Sequence, residues 1–275
     1  MQPNSHRGGR VLAFFALVIA APIEAQTAPP ADPVPAHDTF TVVSKILGEK
    51  RPINVYTPSA YSAAAKAKLP VLYMPDGAID EDFPHVVNTV DSLITLGVIR
   101  PVIVVGIPNT ERRRDLTGPT RIKEDSAIAP HVGGSAAFRR FIRDELFPAV
   151  KSRYRITDER AIVGESLAGL FIVETFLMEP TMFDHYVAID PSLWWNSYAL
   201  TDSSASFVPK LGAMSRTLYL ASADSKEISG ASARLVAALG AAPKNIHVTY
   251  EPRKDLTHAT IFRAVGPSAL AKALR

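Results

Sequence analysis

The chain has 275 residues, 47% hydrophobic and 21% charged, which suits one α/β domain or at most two. Its formal net charge of +3 falls to +2 once a leader carrying Arg7, Arg10 and Glu24 is removed, so nothing calls for a polyanionic partner. Cysteine is absent, which excludes a small disulfide-stapled secreted domain and fits a bacterial periplasm.

Residues 1–10 carry two arginines, residues 11–21 are continuously apolar, and Pro22-Ile23-Glu24-Ala25 ends the run. This order is that of a signal peptide over residues 1–25, and eleven apolar residues fall short of the roughly 20 that span a bilayer. A periplasmic or secreted protein with no membrane association after cleavage is expected. Residues 26–38 hold four prolines and no apolar period, which predicts an extended linker before a catalytic domain at 39–275. Two strand-like runs flank Gly48-Glu49-Lys50 and predict an antiparallel hairpin. Further strand-like runs follow at 69–74, 102–107, 161–163, 186–189, 218–221 and 246–250. Helical spacing lies between most of them, near 84–96, 136–153, 167–178 and 229–239, with a last helix near 267–274. Such alternation predicts an α/β fold with a mostly parallel sheet covered by helices on both faces. Pro148 is expected to kink or restart the third helix.

The apolar strand Arg160-Ala161-Ile162-Val163 runs into Gly164-Glu165-Ser166-Leu167-Ala168, after which helical spacing resumes. A strand, sharp turn and helix around G-x-S-x-G/A is how a serine nucleophile is lifted from a sheet. The second match, around Ser135, follows a loop, and Ser135 reads as a helix N-cap. A serine needs a base, and the base an acid to orient it. Of seven histidines, His258 lies in a loop after the final strand and is the expected base; His247 starts that strand and points outward or into packing. Chain order admits Asp224, Glu227 or Asp190 as the acid. Asp224 is favoured, because its strand directly precedes the one bearing His258, while Asp190 before Pro191 also reads as a turn residue. The oxyanion donors expected are the amides of Leu167 and of Ala78, or of Gly77 beside it. Asp76, Asp80 and Asp82 lack a full calcium-loop pattern and read as solvated or capping carboxylates, so no metal is expected. The Arg112-Arg113-Arg114 run, flanked by Glu111 and Asp115 without interleaved aromatics, excludes a nucleic-acid footprint.

The blocks VLYMPDG, VVGIPNTERRRDLTG, FIRDELFPAVKSRY, RAIVGESLAGLF and FDHYVAIDPSLWWN together resemble the bacterial putative-esterase family of α/β-hydrolases, over residues 40–262. That family includes feruloyl and siderophore esterases, the esterase D group and mycolyltransferases. The resemblance implies an α/β-hydrolase fold and acyl transfer through a serine ester. By position it implies Ser166 as nucleophile, His258 as base, Asp224 as acid, and the Ala78 and Leu167 amides as oxyanion hole. The chain departs from the family's pattern with Glu165 before the nucleophile, Ala168-Gly169 after its neighbour, and Asp190 where Ser is common. Trp194 and Trp195 either border the substrate pocket or pack their loop. Arg112 or Arg114 either holds an anionic substrate or belongs to an internal Arg–Asp115 pairing that fixes the loop.

These readings converge on an exported serine esterase that needs no cofactor and acts on a small-molecule ester, a siderophore or hydroxycinnamoyl ester among the candidates. An acyltransferase and a non-catalytic binding module on the same scaffold are the rivals.

Overall fold

The computed structural model describes residues 32–212 and 215–275; the expected signal peptide and the first part of the expected linker lie outside them. The sheet opens with the hairpin β1 (Asp38–Ser44) and β2 (Glu49–Tyr56), turned at Gly48 with φ +70°. There follow α1 (Ser59–Ala63), β3 (Leu69–Pro75), α2 (Phe83–Thr95), β4 (Ile103–Ile107), α3 (Arg112–Leu116) and α4 (Lys123–Ala127). Next come α5 (Ser135–Phe141), a π-helical turn (Ile142–Leu146), α6 (Phe147–Arg153), β5 (Ile156–Glu165) and α7 (Leu167–Met178). The chain continues with β6 (His185–Ile189), α8 (Trp195–Ser203), a 3₁₀ segment (Ser204–Lys210), β7 (Arg216–Ser222), α9 (Lys226–Leu239), β8 (Ile246–Pro252) and α10 (His258–Ala273).

The eight strands lie in the order β1-β2-β4-β3-β5-β6-β7-β8. β2 pairs antiparallel with both β1 and β4, and every later pairing is parallel. Parallel strands joined through helices must bury both faces, which is why β3, β4 and the end of β5 are continuous apolar runs. One core packs the sheet against α5 to α7 and α9, through residues such as Phe138, Phe171, Ile172 and Leu235. The other packs the opposite face against α2 and α10, through Phe83, Val87, Val163, Ile189, Ile261 and Val265.

The helix over 136–153 is interrupted before Pro148 as expected: it restarts at Phe147, because Pro148 has no N–H for the preceding turn, and a widened π turn absorbs the mismatch. Three expectations change. Ser135 is the first helical residue instead of the cap; Gly134 holds the cap position, and Ser135 Oγ is buried without a hydrogen-bond partner. The last helix begins at His258, nine residues before Pro267, because Thr257 and Thr260 form a reciprocal capping box that starts it. The end of the expected linker is docked: Arg263 Nη2 donates to Asp32 Oδ2 at 2.5 Å, Asn88 Nδ2 to the Pro33 carbonyl at 2.9 Å, and Asp38 already lies in β1.

Candidate active site

Strand β5 ends at Glu165 and α7 begins at Leu167, so Ser166 alone makes the corner, with φ +59° and ψ −120°. A non-glycine residue held there stores roughly 1–3 kcal/mol of strain. The neighbours explain how the corner fits. A Cβ on Gly164 would meet the Ala168 side chain at 2.6 Å, and one on Gly169 would press on Pro191 Cα at 3.0 Å. Position 168 therefore tolerates alanine because position 164 is glycine, while Gly169 is needed where α7 touches the turn after β6. Two backbone bonds clamp that turn to the corner, Ser166 N–H to Ile189 O at 3.1 Å and Ser192 N–H to Ser166 O at 3.0 Å. Ser166 Oγ lies 3.3 Å from Ser192 Oγ.

His258 is the first residue of α10, and its Nδ1 donates to Asp190 Oδ2 at 2.5 Å. A carboxylate only accepts, so the bond fixes the proton on Nδ1 and leaves Nε2 of the neutral ring free to accept one. Asp190 is fully buried at φ +43°, and its other oxygen accepts from the Ala223 amide at 2.8 Å. The Asp190 bond, reinforced by the charge of Glu165, raises the His258 pKa above its ordinary value against the opposing cost of burial.

The carboxylate that meets His258 is thus Asp190, where the sequence favoured Asp224. Asp224 is exposed, and its amide donates to Leu256 O at 2.9 Å. Its residue fastens the segment before His258 rather than orienting the ring. The physical reason is sheet order: β6 lies beside β5, whereas β7 is one strand further away, about 10 Å at normal strand spacing. Asp190, read from the sequence as a competing acid or a turn residue, leaves the nearer strand.

The loop after β3 also differs from expectation. The Ala78 amide donates to Glu81 Oε2 at 2.8 Å, and the Gly77 amide donates to Ile107 O at 3.2 Å. Gly77 is a packing residue: a Cβ there would fall 2.1 Å from Ile107 N, so β4 itself excludes a side chain. Leu167, at the start of α7, keeps the first-turn position from which an amide points beyond the helix end. Arg112 Nε and Nη2 both donate to Asp76 at 2.7 Å, so this guanidinium braces the loop. Arg114 makes the expected bond to Asp115, Nε to Oδ1 at 2.7 Å. Asp76 is buried with φ +54°, so it is not a solvated carboxylate; Asp82 is half-buried and stands at the N-cap position of α2, without a side-chain cap bond. Burial, with the charge of Asp76 added, pushes Asp82 up to about 6. No group of three or more potential ligands could hold a metal ion among the described residues.

Trp195 is buried at 4% exposure, and its Nε1 donates to Gly118 O at 2.8 Å. It packs the loop; Trp194 is half-buried beside it, ring centroids 6.1 Å apart. Glu165, to which the sequence reading gave no role, carries a buried Oε1 without a partner, and burial pushes its carboxyl up to about 7. Its signal was a charged residue ending an apolar strand. A cleft of about 630 Å³ is lined by Glu111, Arg112, Arg113, Arg114, Pro130 and His131 among others; Ser166, His258 and Asp190 do not line it.

The curated protein ferri-bacillibactin esterase BesA of Bacillus subtilis is 36% identical over 125 residues, 41% of this chain and 43% of that protein. The siderophore triacetylfusarinine C esterase of Aspergillus fumigatus is 34% identical over 117 residues, 39% of this chain and 38% of that one. The matches thus span about two-fifths of the length of these relatives. Among solved structures, an IroE-like serine hydrolase from Shewanella oneidensis superposes with a TM-score of 0.76 at 26% identity, over 86% of this chain and 78% of that one. The family model described as "Putative esterase" matches residues 44–232, more than half of the sequence. With that match laid over the strand, corner and helix around Ser166, the chain belongs to the putative-esterase family.

Proposed function

We propose that the protein is a serine hydrolase that cleaves a carboxylic ester through an acyl-enzyme. The observation that carries this reading is the conjunction at the carboxyl ends of β5 and β6: Ser166 strained at the β5–α7 corner with its N–H on Ile189 O, and the next residue, Asp190, holding the His258 imidazole. Ser166 Oγ attacks the ester carbonyl while its proton passes to His258 Nε2. The tetrahedral oxyanion accepts from the Leu167 amide, and from the Ala78 amide once Glu81 releases it. Collapse breaks the ester C–O bond, and His258 returns its proton to the leaving alcohol. Water then attacks the acyl-enzyme, giving one proton to His258, which hands it back to Ser166 as the acid departs. The bond Ser166 makes to Ser192 is exchanged for one to the imidazole by rotation about χ1, since catalytic contacts are often loose before substrate arrives.

Support for the substrate class comes from the relatives, two of which are siderophore esterases. Siderophore or hydroxycinnamoyl esters are the substrates we assign, with export through the leader at residues 1–25. No described helix is long and apolar enough to cross a membrane. The test is a p-nitrophenyl ester series of increasing acyl length run beside feruloyl and siderophore esters, on the parent and Ser166→Ala. Loss of at least about a thousandfold in kcat/KM is expected. Equal turnover by the variant overturns the reading, and a product ester formed with an added alcohol in place of hydrolysis would make it an acyltransferase.

A further inference from the structure

Strand alternation fixes where the Glu165 side chain goes. Val163, two residues earlier, and Ile189, its partner across the β5–β6 register, both belong to the core under α2 and α10. His258 begins α10 and Asp82 precedes α2, so both charged ends gather over the face that Glu165 shares. Glu165 Oε1 is buried there with no hydrogen-bond partner, an expensive arrangement for an ionisable group unless a charge compensates it. The charges acting on Glu165 are His258, Asp82, Asp190 and Arg112; those acting on His258 are Asp190, Glu165 and Arg112. Arg112 is already committed to both oxygens of Asp76, and Asp82 adds only repulsion. The cation left for Glu165 to compensate is the imidazolium.

We propose that Glu165 is a positioning residue for His258: a second carboxylate within electrostatic reach of the ring that, with Asp190, holds the positive charge acquired when the imidazole takes the Ser166 proton. The proposal rests on the relay proposed above. Its need is visible in the fold. His258 sits at the N-terminal end of a 16-residue helix, where the amide dipoles oppose a cation, and Asp190 divides its charge between the ring and the Ala223 amide. Glu165 offsets that opposition. It exchanges no atoms with substrate; the proton still travels from Ser166 Oγ through His258 Nε2 to the leaving alcohol. Because burial raises Glu165 while the Asp190 bond raises His258, the two titrate as a pair. With one proton between them, the carboxylate–imidazolium form withholds the base, so Glu165 strengthens the transition state and delays the onset of activity as pH rises.

The test compares kcat/KM on p-nitrophenyl acetate between roughly pH 5 and 9 for the parent, Glu165→Gln and Glu165→Asp. It adds an NMR titration of the His258 ring in the Ser166→Ala background, with and without Glu165→Gln. For Glu165→Gln the acid limb is expected to move down by at least about half a unit, with the ring titration moving in parallel. The plateau should fall about three- to thirtyfold, and Glu165→Asp should restore part of both effects. An acid limb and ring titration unchanged in Glu165→Gln overturn the proposal, whatever the plateau does, since a merely structural role would lower the rate without moving them. Glu165→Ala carries the same expectation and the same reversal should Glu165→Gln fail to fold. Full activity in Ser166→Ala would instead remove the relay, while the ring titration would still report on Glu165.

Discussion

Asp190 and Asp224 each follow a parallel strand at the same sheet edge, yet only Asp190 reaches the imidazole. The difference is one strand spacing together with a backbone at φ +43° that turns the Asp190 carboxylate under His258. Asp190→Asn should therefore lower kcat/KM by roughly 10³ to 10⁴, because an amide cannot both fix Nδ1–H and hold the imidazolium. Asp224→Asn should stay within about twofold of the parent, its contribution being a backbone amide that the substitution leaves intact. Parallel steady-state kinetics on the two variants check this, and a reversed ranking would return the acid to Asp224.

At the scale of elements, the site is assembled from loops that lean on one another. The β3–α2 loop lies against β4 so closely that Gly77 has no room for a Cβ, and Asn54 Nδ2 from β2 ties its carbonyl at 2.9 Å. The segment from 118 to 134 is held by Trp195 Nε1 on Gly118 and by Asp125, whose carboxylate accepts from the Asn196 amide at 2.8 Å. Asn196, Ser197 and Tyr198 all take left-handed φ values of +50°, +50° and +65° to make that contact. Gly77→Ala should cost at least about 3 kcal/mol, because the clash is with backbone that cannot move aside. Urea unfolding of this variant beside the parent gives the number; a loss under 1 kcal/mol would mean that the loop yields. The buried Arg51–Asp115 pair, 2.6 Å apart, joins the hairpin to α3 and so fixes where the Arg112 end of that helix meets Asp76.

Across the whole molecule, the two cores that sandwich the sheet leave the carboxyl ends of the strands as the place where acidic groups collect. Asp82 is the clearest cost. Its folded pKa of about 6 lies above the ordinary 3.8, so the folded state binds the proton more tightly than the unfolded chain. Stability is accordingly present in full below pH 3.8, is lost as pH rises towards 6, and stays reduced above it. Asp82→Asn, which keeps a residue suited to the N-cap, should raise stability by ~2 kcal/mol at neutral pH and by almost nothing near pH 4. Urea titrations at the two pH values measure it; an equal gain at both would assign the effect to packing instead of charge. Glu165 carries the same sign, so its burial likewise costs stability at neutral pH.

The apolar period of each strand and helix, the small residues around Ser166 and the glycine at the hairpin turn are local properties, and from them the sequence alone determined the α/β alternation, the corner and the opening hairpin. The partner of His258 was decided by strand order, which no local pattern encodes: chain order admitted Asp190, Asp224 and Glu227, the sequence favoured Asp224, and the placement of β6 beside β5 brought Asp190 to the ring instead. The same holds for Arg112 and Trp195, whose guanidinium and indole could serve a ligand or the fold until Asp76 and Gly118 were brought against them. Glu165 belongs with these, since a charge at the end of an apolar strand acquires meaning only from the helix end packed above it. Local sequence sets conformation through short-range sterics and periodicity, whereas long-range pairing selects which polar groups meet, and in this protein the chemistry depends on that meeting.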